Sequence, residues 1–81
     1  MTDAEILSLL TEIFRKAFGD ASLVLAPATT ARDIAGWDSA MMVMLVLAVE
    51  ERFGIRMRSR EIDALKSIGD FVTLIAAHRA A

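Results

Sequence analysis

The sequence contains no cysteine and no tyrosine, and it has only one histidine and one proline among its 81 residues. Without cysteine the chain has no disulfide, and with one histidine it offers no zinc site, so we expect no metal. A domain of this size buries only about 60% of the surface that its unfolded chain exposes. Its stability must therefore come from apolar side chains, which make up 56% of the sequence.

Clustered positive charge and long apolar runs are also absent. Nine basic residues face eleven acidic ones, and this balance argues against a nucleic-acid-binding protein. The longest unbroken apolar run, Ala40 to Val49, has ten residues, whereas a transmembrane helix needs about 20. The start at Met1–Asp3 lacks the features of a secretory signal. We therefore expect a single cytoplasmic domain over residues 1–81, without a membrane span.

Helical periodicity recurs along most of the chain, and no stretch alternates like a β-strand. The pattern predicts an all-α fold, a four-helix bundle of three longer helices and one short helix, over about 3–18, 39–53, 59–65 and 68–79. A loop of roughly twenty residues separates the first two helices, and so long a loop in a compact domain is usually functional. Four apolar residues are expected to pin it to the core: Leu23, Val24, Leu25 and Ile34.

The second predicted helix is apolar on both faces, and its acidic residues indicate which face is outward. A helix turns about 100° per residue, which assigns the side chains to two opposite sets. The inward set should be core and comprises Met42, Leu45, Val46, Val49 and Phe53. The outward set comprises Ala40, Val43, Met44, Leu47, Glu50 and Glu51. Because most of the outward set is apolar, we interpret it as an interface.

The stretch Gly36-Trp37-Asp38-Ser39 places a serine hydroxyl where the long loop meets this helix. The N–H groups and the dipole of a helix N-terminus favour an anion, so a phosphodiester on Ser39 would be stabilised there. Either Asp38 or Ser39 could instead simply cap the helix. A catalytic serine is not supported, because Gly-x-Ser-x-Gly is absent and His78 has no evident orienting partner.

Three stretches occur at a characteristic spacing around that serine. The first stretch, Thr30 to Ser39, ends in Asp38-Ser39. The second, Val49 to Ile55, contains the sequence Glu-Glu-Arg-Phe-Gly-Ile. The third is Ser67-Ile68-Gly69-Asp70-Phe71. With the helix count and the loop length, these stretches resemble the acyl carrier proteins and their phosphopantetheine-binding relatives. The resemblance covers most of the chain.

The resemblance implies that Ser39 is esterified with 4′-phosphopantetheine, taken from coenzyme A by a phosphopantetheinyl transferase that Asp38 assists. The thiol of that arm would hold acyl intermediates as thioesters. The protein would be a monomeric carrier and not an enzyme. It would shuttle these intermediates between acyl-loading and acyl-transfer or condensing enzymes of fatty-acid, lipid or specialised polyketide-type biosynthesis.

The sequence departs from the family pattern on the surface beside Ser39. Family members usually have leucine after the serine and an acidic outward face, where this chain has Ala40 and apolar residues. The segment after Ile55 is basic, whereas in the family it is often acidic. We interpret these differences as a sign of a dedicated partner set. The residues predicted to dock partners are Ala40, Val43, Met44, Leu47, Glu50, Glu51, Arg56, Arg58 and Arg60.

Two other functions fit the same residues. One is a carrier of aminoacyl or hydroxyacyl groups within the same family. The other is a helical protein-interaction module that is never modified and binds a partner helix through its apolar outward set. Intact mass after incubation with coenzyme A and a transferase separates the carriers from the unmodified module.

Overall fold

The computed structural model describes residues 1–80, and the fold that they form is all-helical as predicted. Helix α1 spans Asp3–Phe18, α2 spans Ser39–Phe53, α3 spans Ser59–Asp63 and α4 spans Ile68–Ala80. One 3-10 turn, Ala31–Asp33, lies in the loop between α1 and α2. Three longer helices and one short helix therefore make up the described part of the chain.

Local sequence signals set the two ends of α1. The hydroxyl of Thr2 accepts a hydrogen bond from Glu5 N at 3.1 Å, and Glu5 Oε1 accepts one from Thr2 N at 2.7 Å. This reciprocal pair satisfies two N–H groups that the first turn would otherwise leave without partners. At the other end Gly19 adopts a φ of 64° and ends the helix, because such left-handed backbone strongly favours glycine.

The core is built mainly from α1, α2 and α4. Each of these helices contributes fully buried side chains, which include Phe14, Leu45 and Phe71. Burial of such side chains contributes about 1.5–3 kcal/mol each, and apolar burial is the main source of stability in a chain without disulfides. The fully buried set comprises Ile6, Leu10, Phe14, Leu45, Val49, Ile68, Phe71 and Ile75.

The phase predicted for α2 is confirmed. Leu45, Val46, Val49 and Phe53 are buried, and Met42 is half-buried against the edge of the core. The outward apolar side chains are exposed: Val43 by 59%, Met44 by 62% and Leu47 by 56%. The helix therefore has two apolar faces, of which only one packs against the rest of the domain.

The long loop is held to the core by three of the four residues expected there. Leu25 and Ile34 are buried, and Leu23 is half-buried and packs against the core. The prediction for Val24 is wrong, because 76% of this residue is exposed. Leu23 and Leu25 both point inward, and the side chain between them is directed away from the core.

Backbone hydrogen bonds attach the same loop to the start of α4. Ile68 N donates to Thr29 O at 2.8 Å, and Gly69 N donates to Pro27 O at 2.9 Å. A Cβ at position 69 would lie 3.1 Å from that Pro27 oxygen, so glycine allows the close approach. These bonds satisfy two N–H groups of the first turn of α4, and they hold the loop that leads to α2.

Two contacts hold the C-terminal part of α4 against its neighbours. His78 Nε2 lies 3.0 Å from Glu61 Oε2 in α3, and Arg79 Nη1 donates to the carbonyl of Phe53 at 3.1 Å. The expectation that His78 has no partner is therefore wrong. None of the helices within residues 1–80 combines the length and the apolarity needed to cross a bilayer.

Candidate functional site

Asp38 and Ser39 have different tasks at the start of α2. Asp38 Oδ1 accepts a hydrogen bond from Met41 N at 2.8 Å, and Asp38 O accepts the first intrahelical bond from Met42 N at 2.9 Å. Asp38 is therefore the N-cap, and Ser39 is the exposed first residue of the helix. Since Asp38 caps the helix, the Ser39 hydroxyl is not needed for that purpose.

The surroundings of the Ser39 hydroxyl fit a phosphodiester. The N–H groups of Ser39 and Ala40 precede the first intrahelical bond and have no acceptor within the helix. They lie at the positive end of a helix of 15 residues whose first turn contains no acidic residue. Ser39 is exposed, so its hydroxyl is accessible from solvent. Ser39 Oγ would hold such a group covalently, and these N–H groups would stabilise its negative charge.

Aromatic packing fixes the segment that leads into Ser39. The ring of Trp37 meets Phe14 edge-on at a centroid distance of 5.2 Å and lies 6.3 Å from Phe71. Gly36 has a φ of 88°, a conformation that L side chains rarely adopt, and it places the turn just before the tryptophan. The loop end beside Ser39 is therefore held by the core of the domain.

The exposed apolar face of α2 begins at Ser39 and runs along the helix. We call Ala40, Val43, Met44 and Leu47 the apolar stripe. At 1.5 Å per residue, it extends roughly 12 Å along the axis from the serine. It ends in a cleft of about 230 Å³, which is lined by Leu47, Glu50, Glu51, Ile55 and Arg56.

The connector between α2 and α3 presents its basic residues outward. Ile55 and Met57 are buried, whereas Arg56 and Arg58 between and after them are exposed. Arg60, in α3, is also exposed. The alternation follows from buried apolar residues at every second position of a short connector. Three guanidinium groups consequently face solvent beyond the end of the apolar stripe.

The two acidic residues predicted to dock partners differ in their surroundings. Glu51 is exposed, whereas Glu50 is half-buried, and its Oε2 accepts a hydrogen bond from Met57 N at 2.9 Å. Glu50 therefore fixes the path of the connector. The structure brings Glu50 and Glu51 together with Leu47 and Arg56 around one cleft, while Ser39 lies at the opposite end of α2.

Comparison with known proteins identifies the family. Residues 8–75 match the family model described as phosphopantetheine attachment site. The chain belongs to the phosphopantetheine-binding acyl carrier family. An acyl carrier protein of Acidothermus cellulolyticus is 37% identical over 76 residues, which cover 94% of this chain and 90% of that relative. The acyl carrier protein of Renibacterium salmoninarum is 34% identical over 79 residues, which cover 98% of each chain.

Solved structures of acyl carrier proteins have the same fold. The solution structure of the holo acyl carrier protein from Geobacter metallireducens gives a TM-score of 0.87 at 38% identity, with 91% of this chain and 85% of that chain covered. The crystal structure of the acyl carrier protein from Thermotoga maritima gives a TM-score of 0.81 at 20% identity, with 94% of this chain and 88% of that chain covered. At this identity the comparison supports the fold alone.

These findings confirm four predictions from the sequence: the family, the four-helix fold, a carrier role without catalysis, and a phosphopantetheine prosthetic group. Acyl carrier proteins interact with biosynthetic enzymes, so a carrier surface has to accommodate partners.

Two glutamates of this carrier make polar contacts that were not foreseen from the sequence. Glu50 bonds to a residue seven positions away, and Glu61 bonds to His78, which is seventeen positions away. Helical periodicity does not predict contacts between residues of different elements that are so far apart in the sequence. The N–H of Arg58 and then His78 hold the pKa of Glu61 below its usual value, because both stabilise the ionised carboxylate. Neither contact involves Ser39.

Proposed function

We propose that Ser39 carries the phosphopantetheine arm of this carrier protein. The observation that supports this assignment is that Ser39 is exposed at the N-terminus of a long helix, while Asp38 supplies the cap. When bound, the group supplies a thiol that holds an acyl group as a thioester, which a chain without cysteine cannot otherwise do. In its attachment, Ser39 Oγ would form a bond to the pantetheine-bearing phosphorus of coenzyme A as the pyrophosphate P–O bond at that phosphorus breaks. Adenosine 3′,5′-bisphosphate would leave with the bridging oxygen, and the serine proton would be released to solvent.

The other four serines offer less suitable positions. Ser8 lies within α1, and Ser59 begins a helix of only five residues. The hydroxyl of Ser22 donates to Asp20 Oδ1 at 2.6 Å, and that of Ser67 accepts from Asp70 N at 3.2 Å. Ser22 lies in the loop after α1, whereas Ser67 precedes α4, but its hydroxyl accepts from that helix, and the N–H groups of Ile68 and Gly69 already donate to the loop. Ser39 alone among the five combines exposure with the accessible N-terminus of a long helix.

The surface beside Ser39 is the proposed contact area for partner enzymes. An enzyme that reaches the end of the arm has to approach the N-terminal half of α2, where the apolar stripe is exposed. The partners that we propose are the phosphopantetheinyl transferase, acyl-loading enzymes, and acyl-transfer or condensing enzymes. The proposed setting is fatty-acid, lipid or specialised polyketide-type biosynthesis in the cytoplasm, with the carrier as a monomer.

The proposed contact area extends to the connector. Its polar part consists of Glu50, Glu51, Arg56, Arg58 and Arg60. Charged side chains at the rim of an interface chiefly change the rate of association and its salt dependence. The apolar stripe, in contrast, would supply the buried centre of the interface.

Intact-mass spectrometry tests the assignment of Ser39. The protein is incubated with coenzyme A and a broad-specificity phosphopantetheinyl transferase. We expect the wild type and the matched control Ser59→Ala to gain one phosphopantetheine group, and Ser39→Ala to gain none while keeping its helical circular dichroism. Modification that persists in Ser39→Ala would falsify the assignment. A folded wild type that gains no mass would instead favour the unmodified interaction module, to which the exposed apolar stripe also points.

A further inference from the structure

Trp37 is the last side chain that packs into the domain before the proposed attachment residue. Within residues 31–40, Ile34 is buried and Trp37 is half-buried, and all the others are exposed. The backbone hydrogen bonds at the end of this segment are local: Trp37 N donates to Ile34 O at 3.3 Å, and Asp38 N donates to Gly36 O at 3.1 Å. Because both bonds stay within the segment, they do not attach it to a helix. Side chains have to supply that attachment.

The ring of Trp37 forms a triangle with one phenylalanine from α1 and one from α4. Its centroid lies 5.2 Å from that of Phe14 and 6.3 Å from that of Phe71, and the two phenylalanine rings lie 6.0 Å apart. Aromatic rings attract one another at such separations. Both phenylalanines are fully buried, so the core fixes both partners of the tryptophan. The triangle therefore ties the segment before Ser39 to two helices.

The neighbours of Trp37 in the chain make this attachment important for the geometry of Ser39. Gly36 precedes it at a φ of 88°, and glycine gives the backbone more conformational freedom than any other residue. Asp38 follows it, and the carboxylate of Asp38 caps α2 only while it stays within reach of Met41 N. If the ring were removed, the segment could turn about Gly36. The cap and the serine would then move with it.

We infer that Trp37 is a positioning residue for the attachment of the phosphopantetheine arm. Its ring holds Asp38 and Ser39 in the conformation that the transferase binds, so the carrier has this conformation before it meets the enzyme. The inference rests on the proposed function, because it requires Ser39 to be the attachment residue.

This role has a kinetic signature that general stabilisation of the fold lacks. When only a fraction of the carrier has the competent conformation, its apparent dissociation constant rises in inverse proportion to that fraction. The KM for the carrier follows this constant when the chemical step is slow. Once bound, the carrier has the competent conformation, and its reaction rate is unchanged. Loss of the ring should therefore raise KM and leave kcat nearly the same.

Transferase kinetics and nuclear magnetic resonance of the free carrier test this inference together. We expect Trp37→Ala to raise the KM for the carrier about tenfold or more, with kcat within about twofold of the wild type. The backbone order parameters of Asp38 and Ser39 should fall below about 0.6, the range of flexible backbone. Trp37→Phe keeps an aromatic ring and should keep KM within about threefold. The matched control, Leu65→Ala, shortens a half-buried side chain between α3 and α4 and should leave KM and both order parameters unchanged.

Phe14→Leu is a second variant, which decides the question if Trp37→Ala does not fold. It removes one ring that the tryptophan contacts and leaves Trp37 in place, so it should raise KM about threefold or more.

Several outcomes would overturn the inference. They are an unchanged KM in the folded variants, a fall in kcat at constant KM, and an equal rise of KM in Leu65→Ala. A raised KM with unchanged order parameters would also overturn it, because the enzyme would then contact the ring directly. If the wild type is modified at Ser39 and the ring has no effect, only the positioning role fails. If the folded wild type is not modified at Ser39, the proposed function fails as well.

Discussion

Both faces of α2 consist mostly of apolar side chains, but they lie in different environments. Leu45 and Val49 are fully buried among side chains of the other helices, whereas Met44 and Leu47 are more than half exposed. The apolar content of the helix therefore does not determine which residues stabilise the domain. The exposed face contributes little to folding, so its residues are available for contacts with partners.

The largest expected effect comes from shortening one leucine on each face. Leu45→Ala should lower the free energy of unfolding by about 2–5 kcal/mol, because it leaves a cavity in a packed core. Leu47→Ala should change it by less than about 0.5 kcal/mol, as is usual for exposed positions. Urea denaturation measures both values. Similar losses for the two variants would remove the distinction between the faces.

Charge on the exposed face should impair partners without impairing the fold. Met44→Glu combined with Leu47→Glu should lower turnover by a cognate acyl-loading enzyme about tenfold or more, since a charge buried at an interface costs several kcal/mol. The matched control, Ser8→Glu with Thr73→Glu, adds two charges at exposed positions of α1 and α4 and should leave turnover unchanged.

Circular dichroism of the same variants checks the phase of α2. The helical signal of the Met44 and Leu47 variant should equal that of the wild type before any partner is added. A loss of helix would mean that these side chains stabilise the fold. Normal turnover by the intact variant would exclude the apolar stripe from partner docking.

Asp38 allows the capping role to be separated from any role in modification. Asp38→Ala should cost about 1 kcal/mol of stability because it removes the acceptor for Met41 N, whereas Asp38→Asn should retain most of the cap. We expect both variants to be modified more slowly by the transferase. If Asp38→Asn is modified at the wild-type rate, the only role of Asp38 is to cap the helix.

The smallest effect on stability is expected from the connector arginines. Replacing Arg56, Arg58 and Arg60 by serine should leave the melting temperature nearly unchanged, because exposed charges contribute at most about 1 kcal/mol. The loading rate should fall at low salt, and the difference from the wild type should shrink as salt screens the charges. A large melting shift with normal rates would show that the arginines are structural.

Much of the fold could be predicted because the decisive signals are local. The phase of α2 followed from Glu50 and Glu51, and the ends of α1 and α2 followed from capping residues and glycines. The short helix α3, predicted over about 59–65, ends at Asp63, where neither signal occurs. The exposure of Val24 could not be predicted from its apolar side chain, because the sequence of an irregular loop does not determine which of several neighbouring apolar residues points inward. The partners of Glu50 and His78 depend on tertiary packing, which periodicity does not encode.

The candidate site was predictable in part for the same reason. The sequence placed Asp38 and Ser39 at the start of a long helix, and it left open which of them is the cap. The hydrogen bond from Met41 N to Asp38 Oδ1 resolves that question through side-chain geometry. The roles of both residues in modification are chemical, and they stay predictions until the modification is measured.

The most direct test of the account is to locate the arm on the wild-type protein. After incubation with coenzyme A and transferase, the protein is digested, and its peptides are fragmented in a mass spectrometer. We predict one phosphopantetheine group, carried by the peptide that contains Ser39, with the fragment ions assigning it to that serine. A folded protein that gains no group, or gains it at another residue, would contradict the account.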